Sequence, residues 1–174
     1  MPWLGTQALR LFVKNLKTDD EAWLQMAVET ACGKVEELCG PIAITTLSEG
    51  HDIDGGSICL GANVRSVVSI AGQVGGTYTV TDWEFNGQVL RRRLGATAND
   101  VLTVTYTAGY FDADDANAEP PIWATYAALL IAQQWLRTSG RFATTMEPGP
   151  VGFLVPFAAT EAMRDHLLAP DGFA

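Results

Sequence analysis

Val101-Leu102-Thr103-Val104-Thr105-Tyr106-Thr107-Ala108-Gly109-Tyr110 decides how the rest of the chain is read. Apolar side chains at 102, 104 and 106 alternate with threonines at 103, 105 and 107. A period of two in β-branched and aromatic residues marks a half-buried strand. The run stops at Gly109 and enters an acidic loop from Asp112 to Glu119. Pro120-Pro121 follow, and then a long apolar segment. Strand, acidic elbow and helix are therefore expected in direct succession.

Upstream of this unit lie further short strand candidates. They are Ile44 to Glu49, Ser57 to Leu60, Val67 to Gly72, Thr77 to Thr81 and Gln88 to Arg92. Glycine and Asx residues punctuate them, and Asn86-Gly87 is the best tight-hairpin signal. No helix-length segment separates the strands, so βαβ units are not expected and a small antiparallel meander is. Arg91-Arg92-Arg93 is a basic run, but alternate residues of a strand face opposite ways. A solvated edge that resists sheet-to-sheet pairing is the expected role.

Helices flank the strands on both sides. Thr6 to Lys14 predicts a short helix with Leu9, Phe12 and Val13 on its apolar face and Thr6 as its cap. Thr18-Asp19-Asp20-Glu21 has the spacing of a capping box. Leu24, Val28, Ala31, Val35 and Leu38 then recur at helical intervals until Gly40-Pro41, predicting a helix over about 20–39. Ile122 to Arg137 is apolar nearly all round, with Ala124, Ala128 and Ala132 as a stripe of small residues. Such a helix is buried on most sides, inside a core or shared with a neighbouring subunit. An irregular arm from Phe142 to Gly152, an extended Phe153-Leu154-Val155-Pro156 and a last helix over about 157–168 complete the chain. Ala158, Ala162, Met163 and Leu167 are expected on one side of that helix.

The expected fold class is α+β. A helical core of N-terminal, central and C-terminal helices carries an inserted small antiparallel β-meander. Residues 1–174 are read as a single domain: N-terminal helices in 1–41, the meander in 42–110, the central helix in 119–140, and an arm and helix in 141–174. At 48% hydrophobic and 18% charged, the chain is short of surface charge, which burial against copies of itself would explain. The net charge of −9 argues against wrapping a nucleic-acid backbone or an anionic membrane, and is compatible with DNA sliding past without sticking. No apolar run is long enough to span a bilayer, and Met1 to Arg10 has no basic-then-apolar signal. Cys32 and Cys39 share a helix face about 10 Å apart, too far for a disulfide. With Cys59 in a strand-like run, buried, reduced thiols and synthesis in a reducing cytosol are expected.

Candidate chemistry is thin. His51 and His166 lack cysteines at ligand spacing. Asp112, Asp114 and Asp115 loosely match a calcium loop, but Asn117 and Trp123 stand where glycine and glutamate belong. Gly72 to Gly76 lacks the lysine and helix of a P-loop, so a hairpin turn is expected. Ser48, His51 and Asp52 are neighbours without a nucleophile elbow. Glu49 with Asp52, or Asp82 with Glu84, remain as possible paired acids, the basis for an alternative reading as a small soluble enzyme. No metal or cofactor is expected.

Several motifs come in a particular order. Val35-Glu36-Glu37-Leu38-Cys39-Gly40-Pro41 ends the capped helix, and Val64-Arg65-Ser66-Val67-Val68-Ser69-Ile70 and Val89-Leu90-Arg91-Arg92 follow. Then come Val101 to Tyr110, Pro120-Pro121, an alanine-rich helix with Gln134-Trp135, and Gly152-Phe153-Leu154-Val155-Pro156. Over about residues 5–170 this order resembles the head-to-tail connector (adaptor) proteins of long-tailed bacteriophages. Ser48 to Ser57 has no counterpart in the resemblance.

The resemblance implies a homo-oligomeric ring of about twelve copies under the portal protein in the virion neck. The ring would extend the DNA channel, without sequence-specific DNA binding, and dock the next neck or tail-completion protein. It implies no catalytic residues. A tail terminator or other neck ring is the alternative within the same class. Trp123, Tyr126, Ala128 and Trp135 are expected at or near subunit contacts, and Phe153, Val155 and Pro156 in an arm that reaches a neighbour or the portal. Ala128→Arg is expected to abolish rings and leave a folded monomer.

Overall fold

The strand from Val101 to Ala108 (β6) has its alternate residues Leu102, Val104, Tyr106 and Ala108 buried, as the period of two requires. The computed structural model describes residues 2–13, 16, 20–52, 56–61, 63–72, 79–87, 89–92, 101–139 and 155–168. The fold is mixed α and β, with four α-helices and two small antiparallel sheets among these residues. Contacts divide the chain into two compact units. One is helical and joins 1–42 to 119–167; the other holds the strands, in 43–118, together with 168–174.

In the strand unit, β6 is the middle of a three-stranded sheet. Thr45–Asp52 (β1) and Val64–Gly72 (β3) pair with its two sides, both antiparallel. Ser57–Cys59 (β2), Trp83–Asn86 (β4) and Val89–Arg92 (β5) form a second sheet in the order β2-β5-β4. The expected meander is thus corrected: β1 lies beside β6, not beside its successor β2. Alternation in a sequence says which face a residue occupies, not which strand lies alongside. The inner faces of both sheets close on one core that includes Ile58, Ile70, Trp83, Leu90, Val104 and Tyr106. Each such apolar side chain contributes about 1.5–3 kcal/mol on leaving water, and this holds the two sheets together.

Three local expectations in this unit change. The strand expected at Thr77 to Thr81 is, in its described part, a 3-10 turn over Val80–Asp82. Asp82 Oδ2 accepts the Thr79 amide at 3.0 Å and so diverts the backbone from a ladder, and the strand starts at Trp83 instead. Arg91 and Arg92 of the basic run do not form a sheet edge, because β5 is the central strand of its sheet, and Arg93 lies outside the described residues. The Asn86-Gly87 signal does mark a hairpin, with Asn86 opposite Val89, and Gly87 takes φ +70 in the turn. At the far end of β6, Gly109 takes φ +128. A Cβ there would lie 2.5 Å from the Ala43 carbonyl oxygen, so this crossing admits only glycine.

The helical unit contains Thr6–Phe12 (α1), Glu21–Cys39 (α2), Ile122–Thr138 (α3) and Phe157–Met163 (α4), with a 3-10 turn over Arg164–His166. Asp20 caps α2 by accepting the Ala22 amide at 3.1 Å; Thr18, the expected cap, lies outside the described residues. Gly40, at φ 78, ends the helix. Leu24, Val28, Ala31 and Val35 are buried as their spacing predicts, whereas Leu38, the last of the expected stripe, is half-buried. Thr6 does not cap α1, since Gly5 holds that place and the Thr6 hydroxyl donates to Glu21. Arg10 pairs with the same carboxylate at 2.8 Å and, with Thr6, lowers its pKa. In α4 Met163 is buried as expected and Ala162 half-buried, but the second buried position is Ala159 and Ala158 is exposed, as is Leu167 beyond the helix, so the expected face holds only in part. No helix among the described residues is long and apolar enough to cross a membrane.

Candidate functional site

Helix α3 is the hub of the helical unit and packs on α1, α2 and α4. Its small residues Ala124, Ala127, Ala128 and Ala132 are all buried, which lets neighbouring backbones come close. Its large aromatic residues are each engaged by the same chain. Tyr126 meets Phe12 of α1 edge to face, with centroids 6.2 Å apart. Trp135 packs on Trp23 of α2 at 5.4 Å. Trp123 stacks on His166 at 4.0 Å and 8° between planes. Such pairs add about 0.5–1.5 kcal/mol each beyond the area they bury.

The residues expected at subunit contacts therefore divide. Tyr126 is 46% exposed and has a free surface beside its intramolecular contact. Trp123 and Trp135 are half-buried in their ring pairs. Ala128 is fully buried inside the helical unit, so its side chain is not at a surface. An arginine there would overpack the core rather than block a ring selectively, which corrects the expectation for that substitution. Val155 and Pro156 are half-buried just ahead of α4, with Pro156 as its N-cap, and Phe153 lies outside the described residues.

The same region holds an apolar cleft of about 520 Å³, where the N-terminal segment and α1 approach the first turns of α3. Trp3, Phe12, Ile122, Tyr126 and Leu129 line it, with the exposed Glu119 also on its wall. Ile122 is 87% exposed, and Trp3 has a solvent-shielded indole N–H without an acceptor among the described residues. The sequence pointed to Tyr126 but missed Ile122, Trp3 and Phe12, because no periodicity in α3 says that α1 stops short of covering it. A second exposed aromatic, Phe157 at 78%, opens α4.

In the strand unit, alternation separates the residues weighed as catalytic. Glu49 and His51 sit at positions of β1 opposite the buried Val104 and Leu102, whereas Ser48 and Asp52 occupy the alternate, outward positions. Neither a Ser-His-Asp group nor a Glu49–Asp52 acid pair is assembled on one face. Asp82 is committed to Thr79, and Glu84 faces outward on β4 opposite Arg91 of β5. Asp112 and Asp115 accept the backbone amides of Asp114 and Asn117 at 3.0 and 2.9 Å, so these acids form Asx turns.

The sequence reading missed a cluster that the fold does build. Tyr106 donates its hydroxyl to Glu49 Oε1, and Glu49 Oε2 lies 3.1 Å from His51 Nε2. Burial, followed by the adjacent carboxylate, raises the Tyr106 pKa well above the usual phenol range. The phenol is therefore a protonated donor and not a base, and the cluster clamps the edge strand β1 to β6. The i, i+2 spacing of Glu49 and His51 could have placed them on one strand face; their link to Tyr106 crosses too much sequence to be read. On the outward face, Ser48 lies 3.3 Å from Thr105 and Ser66 lies 2.7 Å from Thr107, hydroxyl to hydroxyl.

The cysteines are all free thiols. Burial pushes Cys32 up to about 12 and Cys39 up to about 11. Cys59 is exposed on β2, contrary to the expectation of three buried thiols. No family model and no curated protein matches the chain.

Proposed function

We propose that the chain is a structural virion protein, a head-to-tail adaptor that forms a ring beneath the portal, extends the DNA channel and docks the next neck or tail protein. The order of its motifs supports this reading, as does its shortage of surface charge. The observation that carries it furthest is the apolar surface left on the helical unit. Ile122 and Tyr126 stand exposed beside an apolar cleft, and Phe157 projects from α4. Large apolar side chains left exposed in this way suit contact with another protein chain. The net charge of −9 disfavours a tight grip on a phosphate backbone passing through a channel.

The reading assigns no catalytic residue and no cofactor. Negative-stain images of the chain mixed with portal assemblies test it, and rings seated on portal are the expected result. Rings that bind only tail-tube protein would make the chain a tail terminator. A monomer that turns over a small substrate in the strand unit would make it an enzyme and end the structural reading.

A further inference from the structure

We propose that the cleft beside α3 receives Phe157 of a second copy of this chain. The proposal rests on the ring-forming reading and supplies its subunit contact. A ring built head to tail needs two different, complementary patches on each subunit. The helical unit carries such a pair on different elements. The hollow is walled by Trp3, Phe12, Ile122, Tyr126 and Leu129, has a volume of about 520 Å³, and is apolar. The projection is Phe157, 78% exposed at the first residue of α4.

Charge follows the same division. Glu119, exposed, adjoins the hollow. Arg164 opens the 3-10 turn that follows α4, seven residues beyond Phe157. Its side chain is 66% exposed, and its partner within the chain is Glu161, one helical turn back. An exposed pair of that kind is weak and screened, so the guanidinium is available to a second carboxylate. Seating Phe157 in the hollow thus brings a cation towards Glu119. It also covers Ile122, which is 87% exposed on its own chain.

The test is cross-linking in assembled rings. In a Cys59→Ser background, Phe157→Cys is combined with Ile122→Cys in one variant and with Tyr126→Cys in another. Mild oxidation of portal-templated assemblies should give a disulfide-linked ladder of multimers with at least one pair, and none with Phe157→Cys alone. Phe157→Asp, at an exposed site, should keep the wild-type circular dichroism and reduce the fraction of chains in rings at least tenfold. If wild-type chains form rings, neither pair gives a ladder and Phe157→Asp still assembles, the contact is wrong and the ring reading stands. If wild-type chains form no ring with portal, the contact falls together with the reading that it rests on.

Discussion

Gly61 has no room for a methyl group. A Cβ there would lie 2.9 Å from the Tyr106 hydroxyl and 3.0 Å from Glu49 Oε1. Tyr106 is fully buried and cannot swing aside, so Gly61→Ala should cost about 1–3 kcal/mol in urea unfolding. Tyr106→Phe keeps the ring and removes the donor to Glu49, at about 1–2 kcal/mol. In that background the cost of Gly61→Ala should shrink, because the nearer of the two clashing oxygens is gone. An additive double mutant would show that the two sites do not touch. The thiols differ in a way that labelling reads directly. At neutral pH one cysteine, Cys59, should react with a thiol reagent in the native protein, and all three in denaturant. Because Cys32 and Cys39 have raised folded pKa values, their contribution to stability is fully present below the ordinary thiol value of 9.0. It should be lost as pH rises through about 11 and about 12. The exposure of Cys59 was not readable beforehand, since a strand of three residues is too short to display a period.

Helix α3 packs through its buried alanine face and three ring pairs, and the pair at its start reaches the turn that follows α4. Trp123→Ala removes the stack on His166. Hydrogen exchange should then quicken in Phe157–Met163 and leave β6 unchanged. Uniform loss of protection throughout the chain would mean that the stack supports the whole fold. Much at this level was readable from the residues. The α2 stripe ends at Gly40, and the alternation of β6 names its buried side chains without error. Strand order was not readable, because β6 finds its neighbours β1 and β3 across long stretches of chain. The face of α4 was read only in part: seven residues are about two turns, and alanines on both sides leave the stripe undefined.

For the molecule as an assembly, composition suggested burial against copies of itself, and of the α3 residues expected there Ala128 is buried within its own chain whereas Tyr126 keeps an exposed surface. An all-round apolar helix suggested a side left over for a neighbour. Its alanine face is instead used up within its own chain, and the large apolar residues left exposed are Ile122 and Tyr126 near its start. Ile122→Asp should therefore leave Tm within about 2 °C, since the side chain is already in water, and should block assembly. Loss of the fold instead would place Ile122 in the core. The claim on which everything else depends is that the chain acts by closing a ring on the portal. Native mass spectrometry of the purified chain with its portal protein tests this most directly. The account predicts a closed species carrying a fixed number of copies, about twelve, bound to portal. A chain that stays monomeric at every ratio of portal would contradict it.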